Sequence, residues 1–174
     1  MLNKKTKQHS TITCLLLLAG IALLVGLTAC NTTNTNADAA GVVTKHLEAL
    51  QNNDFDAWKL TLWPAEKDSQ NFTPSFEKPG DLGVISLTIE KVEVSDEETK
   101  RIKERYSGSK LAQSHGWSDE YISENMVAVF AQYTVDYDNT KVPYVEGTLT
   151  QYFYLIRDDE DSQWLIWDGT SPSN

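Results

Sequence analysis

Two thiols, three imidazoles and a few acid-rich turns are the groups in this chain with chemical potential. Cys14 lies inside an apolar run and Cys30 closes it, directly after Leu27-Thr28-Ala29. A thiol is the strongest nucleophile among ordinary side chains, and small neighbours let an extended chain enter a narrow cleft. His46 sits on the flank of a helical apolar stripe, a position that predicts a partly exposed ring. His115 stands beside Gly116 in a predicted loop. Neither histidine is matched with a Cys or carboxylate at the spacing a zinc site requires, so no metal is expected. Asp136-Tyr137-Asp138-Asn139 and Asp158-Asp159-Glu160-Asp161 are rich in oxygen ligands. Both lack the central Gly and closing Glu of a calcium loop, and hairpin turns favour these residues anyway. Phosphate-cradling glycine loops, a nucleophile elbow and a Ser-x-x-Lys pair are missing, so no cofactor is expected.

The N-terminal segment has three parts. Residues 1–10 carry Lys4, Lys5 and Lys7 without an acid, Thr11 to Ala29 carry no charge, and Leu15 to Leu18 are all leucine. That layout predicts a signal-peptide helix over 1–29. Thr13, Gly20, Gly26 and Thr28 dilute the run and argue against a retained membrane span. Leu27-Thr28-Ala29-Cys30 resembles the lipobox of bacterial lipoproteins. The resemblance implies cleavage between Ala29 and Cys30 and a diacylglycerol thioether on Cys30. It places the mature chain at the outer, extracytoplasmic face of the cell membrane. Two acyl chains suffice for lasting anchorage, at about 0.8 kcal/mol per buried CH₂. Residues 30–37 are polar and read as the lipidated tether.

Processing also changes the charge. The chain has 15 basic and 25 acidic side chains; losing residues 1–29 removes three lysines and no acid, which leaves a net charge of −13. An acidic body of this kind does not suit nucleic acid or anionic lipid headgroups. With Cys14 removed and Cys30 acylated, no disulfide is available, so residues 38–174 must be stabilised by a core.

Within 38–174 the pattern predicts helices first and a sheet last. Asp38 is the expected N-cap of a helix to Gln51 with Val43, Leu47 and Leu50 on one side. Asp54 is the expected cap of a second, short helix, where Phe55, Trp58 and Leu62 form a stripe that Pro64 ends. Ala65 to Leu82 reads as a long loop. Val84 to Val94 alternates as a strand whose phase slips near Glu90-Lys91, the mark of a bulge. Ser95 is expected to cap a solvated surface helix that breaks near Gly108, and Ser118 a further short turn. Met126–Tyr137, Tyr144–Arg157 and Gln163–Asp168 then read as an antiparallel meander. Trp164 and Ile166 share one strand face, and at least one of Trp164 and Trp167 should be buried. The stretch 144–157 is apolar on both parities, so the sheet needs a cover on each face. The long loop from Ala65, the segment 95–125 or a second copy of the chain would supply the second one.

The run His46 to Trp58 and the ending Gln163-Trp164-Leu165-Ile166-Trp167 are similar to the nuclear transport factor 2-like fold. The resemblance implies an α+β domain in which N-terminal helices pack on a curved antiparallel sheet to form a cone. Proteins of this fold include isomerases and dehydratases as well as binding and assembly modules. In the enzymes a carboxylate with a tyrosine or histidine lies inside the cone, and His46, Trp58 and Tyr133 are the candidates here for lining such a pocket. No catalytic motif maps residue by residue. The leading expectation is a non-catalytic ligand-binding or protein-assembly module, acting with an envelope protein or as a homodimer. A small-molecule isomerase, dehydratase or hydrolase using the cone pocket is the alternative.

Overall fold

The computed structural model describes residues 35–64 and 82–170. Ala29, Cys30 and the rest of the signal segment and its junction lie outside the described residues, as does most of the expected loop from Ala65. Helix α1 spans Thr35–Gln51, so Asp38 falls within its first turn instead of capping it, and the last residues assigned to the tether are helical. An acid in that turn still complements the positive end of the helix dipole. Ala39, Val42, Val43, His46 and Leu47 recur at helical spacing and all are buried. The turn that follows the helix contains Asn53, whose backbone is left-handed at φ 51°. Asp54 caps the short helix α2 (Phe55–Lys59), its Oδ1 accepting from the Ala57 N–H at 2.9 Å.

Four strands follow in chain order: β1 (Val84–Val94), β2 (Met126–Tyr137), β3 (Gly147–Ile156) and β4 (Leu165–Thr170). They form one antiparallel sheet in the order β1-β2-β3-β4. The expected three-strand meander is therefore extended by β1, paired along β2. The β1 register shifts between Ile89 and Lys91, where the sequence pattern slips, and again between Val84 and Ser86. The extra residue lets Ile89 and Val92 pack on the same core despite opposite parity. Along the open edge of β1, Asn53 stands in for a neighbouring strand. Its Nδ2 donates to the Val84 carbonyl at 2.8 Å, and its Oδ1 accepts from the Val84 N–H at 3.2 Å. Gln51 Nε2 donates to the Leu87 carbonyl at 2.9 Å, which blunts the same edge.

Successive side chains of a strand point to opposite faces, so β2 and β3 feed two separate cores. On the first face, Val127, Val129, Ala131, Tyr133, Val135, Phe153, Leu155, Trp164 and Ile166 pack with α1 and Trp58. On the second, Met126, Ala128, Tyr154 and Ile156 pack with residues of the 95–125 segment. That segment forms α3 (Asp96–Tyr106), α4 (Lys110–His115) and α5 (Asp119–Asn125), each capped by a serine: Ser95, Ser109 and Ser118.

The expectation of a solvated surface helix is corrected here. Glu98, Ile102 and Tyr106 of α3 are buried, one residue per turn, as a stripe against the sheet. A carboxylate in that stripe hides it from a reading based on apolar periodicity. Glu98 is tolerated because Oε1 accepts from the Tyr154 hydroxyl at 2.9 Å and Oε2 lies 3.1 Å from the Arg101 guanidinium. The start of α3 is fixed to β2 at Ala128, whose carbonyl accepts from the Ser95 N–H and whose N–H donates to Thr99 Oγ1, both at 2.9 Å. The cover for this end of the second face thus comes from the chain itself. Further along that face Phe130 and Tyr152 meet edge-on at 5.5 Å, and beyond them it is polar: Glu90 accepts from Gln132 and Thr134, and Thr134 bonds Thr148.

Two substitutions test this packing. Trp164 is buried beneath the Arg157 guanidinium, 4.6 Å from its ring centroid. Trp164→Ala should lower unfolding stability by about 3–5 kcal/mol in urea titration. Gly83 has φ +68°, and a Cβ there would stand 2.6 Å from Val142 Cγ2. Gly83→Ala should cost about 2–4 kcal/mol by the same measurement, from left-handed strain and overpacking together.

Candidate functional site

The expected partly exposed His46 is instead buried, and α1 carries it into the core between helix and sheet. Its neighbours come from the chain just beyond the first turn: Trp58 on α2 and Thr61 immediately after it. Trp58 Nε1 donates to His46 Nε2 at 3.1 Å. An indole nitrogen can only donate, so Nε2 must carry no proton, and the hydrogen of the neutral ring resides on Nδ1. Nδ1–H then donates to Thr61 Oγ1 at 2.7 Å, and the Thr61 hydroxyl donates in turn to the Trp58 carbonyl at 2.6 Å. The three residues close a ring of hydrogen bonds in which both imidazole nitrogens are used. Phe153 meets the imidazole edge-on, with centroids 5.6 Å apart. Burial lowers the His46 pKa from 6.5 to about 3.

The structure brings two of the three candidate pocket residues into direct contact and sets the third apart. Tyr133 belongs to the same core, but its hydroxyl donates to Gln151 Oε1 at 3.0 Å. Burial, with a smaller contribution from Tyr137, pushes its pKa up to about 12. His46 and Trp58 are therefore bound to one another, and Tyr133 to a glutamine of β3. Outside this core, Lys45, Glu48, Asn52, Asp54 and Gln163 rim an open depression of about 370 Å³. Thr61 lines it as well, so the threonine separates the depression from the imidazole.

A second aromatic group was hidden from sequence reasoning. His115, expected in a loop, is the last residue of α4, and its ring stacks on Trp117 at 4.3 Å and 15°. Trp117 meets Trp167 edge-on at 5.1 Å, and Tyr106 meets Trp167 at 5.2 Å. At these separations the rings pack on each other as the rim of the second core. The only local hint was Gly116, the left-handed cap of α4 at φ 72°, which turns Trp117 back over the helix. In each acid-rich turn one carboxylate is held by the turn itself: Asp138 Oδ1 accepts from Thr140, and Asp159 Oδ1 from Asp161 and Ser162. Among the described residues no group of three His, Cys, Asp or Glu side chains is arranged to hold a metal ion, and no helix is long and apolar enough to cross a membrane.

The architecture is that of an α+β domain with an open four-stranded antiparallel sheet and helices on each side. The chain belongs to the family described as domain of unknown function DUF4829, which matches residues 40–169. No curated protein and no solved structure matches it.

The buried ring of hydrogen bonds has a direct consequence for stability. Between pH 6.5 and about 3 the unfolded chain protonates His46 and the folded chain does not. The unfolded state then binds more protons, so stability rises with pH across that window and falls on acidification. The contribution of this residue is a loss approaching about 1.4 kcal/mol per pH unit. Chemical denaturation of wild type and His46→Gln at several pH values should show that component in the wild type alone.

Proposed function

We propose that this protein is a membrane-anchored lipoprotein whose folded domain is a non-catalytic ligand-binding or protein-assembly module at the extracytoplasmic face. Residues 1–29 act as the signal peptide, and Cys30 carries diacylglycerol after cleavage at Ala29. The domain is read as nuclear transport factor 2-like, on the order of a long helix, a short aromatic helix and an antiparallel sheet. The helical segment 95–125 is an elaboration of that plan. One observation carries the non-catalytic reading: the histidine between helix and sheet has both ring nitrogens engaged by Trp58 and Thr61. A general base needs a free lone pair within reach of substrate, and a ring held this way offers none. The partner is another envelope protein or a second copy of the chain, and the net charge of −13 after processing disfavours nucleic acid.

Anchoring is tested by Cys30→Ala in cells fed a clickable palmitate analogue. The expected result is loss of labelling together with uncleaved or released protein. A correctly cut Cys30→Ala form that stays with the membrane would overturn the lipoprotein reading. A turnover activity lost in Tyr133→Phe at unchanged thermal stability would instead support a small-molecule isomerase, dehydratase or hydrolase.

A further inference from the structure

The chain from Phe55 to Trp63 packs on the first core through Phe55, Ala57, Trp58 and Leu62 and on the second through Trp63, and two sets of hydrogen bonds register it there. Helix α2 is only five residues long, too short to persist without tertiary contacts. Its inner side is Trp58, bonded to His46 and stacked on Phe55. Beyond it, Leu62 forms a parallel bridge with Ile166 on the outer edge of β4. In that bridge the Ile166 N–H donates to the Thr61 carbonyl at 2.9 Å, and the Trp63 N–H donates to the Ile166 carbonyl at 2.8 Å. Thr61 therefore joins the two attachments, since its hydroxyl holds His46 and its carbonyl holds β4.

A proton on His46 Nε2 would point an N–H at the Trp58 Nε1–H. Two donors would face each other, and a positive ring would be enclosed by Trp58, Thr61 and Phe153. None of these three side chains ionises near neutral pH. Of the charged groups on the elements packed here, Lys45 and Glu48 on α1, Asp54 in the turn, Asp56 and Lys59 on α2 and Asp168 on β4 are exposed. None of them contributes to the shift of the ring, whose one cause is burial. The closed arrangement thus has no acceptor for the added proton, and release of the element that carries Trp58 removes the clash.

We propose that Phe55–Trp63 is an acid-released latch, in which protonation of His46 frees α2 and uncovers the outer edge of β4 while the rest of the sheet stays folded. Opening restores an ordinary imidazole to water, so the open fraction grows about tenfold per pH unit below 6.5. The Ile166 N–H and C=O then become available for pairing with another extended segment.

Hydrogen exchange of the full chain in detergent micelles, at about pH 8 and about pH 5 with intrinsic rates corrected, tests this. Peptides covering 55–63 are expected to be less protected than those covering 127–135 at both pH values. Their opening is expected to rise about thirtyfold on acidification in the wild type and to stay flat in His46→Gln. Equal protection of 55–63 and the β2 core at both pH values would overturn the latch, because it would mean one cooperative unit. A rise that persists in His46→Gln would overturn the role of the histidine. Should that variant fail to fold, ring nitrogen chemical shifts of wild-type His46 decide the matter. The neutral Nδ1–H form in the closed state at about pH 5 supports the latch, and a protonated closed state contradicts it.

Discussion

Strand β3 is apolar on both parities near its end, and that constraint governs the molecule. Phe153 and Leu155 face α1, while Tyr154 and Ile156 face the opposite way, and all four are buried. A sheet with two apolar sides cannot leave either in water, at about 25 cal/mol for every Å² exposed. The chain meets this need with its own segment between β1 and β2. The decisive contact is the buried hydrogen bond from Tyr154 to Glu98, which pins the first turn of α3 to the second face. Burial first, and the Glu98 carboxylate after it, raise the pKa of Tyr154, so the hydroxyl stays a donor. Without that donor the carboxylate would lose much of its compensation, and the burial of Ile102 and Tyr106 would have to hold α3 against that cost.

The two cores differ in how they treat polar groups. In the first, His46, Trp58 and Thr61 satisfy each other, and the result is a neutral unit joining α1, α2 and the edge of β4. In the second, Glu98 and Arg101 bring formal charge to the margin of the packing. At the border of the first, Arg157 is buried over Trp164, with Asn125 Oδ1 accepting from its Nε at 3.2 Å. Both solutions obey the same rule, that a buried polar atom needs a partner. They leave the helix side of the sheet filled by side chains that serve one another.

Legibility in the sequence followed range. Caps at Asp54 and Ser95 depend on residues three positions away and were readable; so was the slip at Glu90, a property of one strand. Burial of at least one of Trp164 and Trp167 followed from alternation, and Trp164 is the buried one. The burial of His46 was not readable, because it depends on a threonine fifteen residues on, and that of Glu98 depends on a tyrosine fifty-six residues on. Ser95 and Glu98 have the spacing of a capping box, yet only the serine half forms. The Ser95 N–H is taken by Ala128, and this leaves the carboxylate for Tyr154. The start of α1 at Thr35 was missed for a different reason: polar residues carry no periodicity to mark a first turn.

The central claim is that Glu98 and Tyr154 hold the helical segment on the second face of the sheet. A double-mutant cycle of Glu98→Ala and Tyr154→Phe, read by urea denaturation at neutral pH, measures that coupling directly. A buried bond to a charged group predicts a coupling energy of about 1.5–3 kcal/mol. Additive effects, with coupling within about 0.3 kcal/mol of zero, would mean that the pair does not hold the segment in place and would contradict the account.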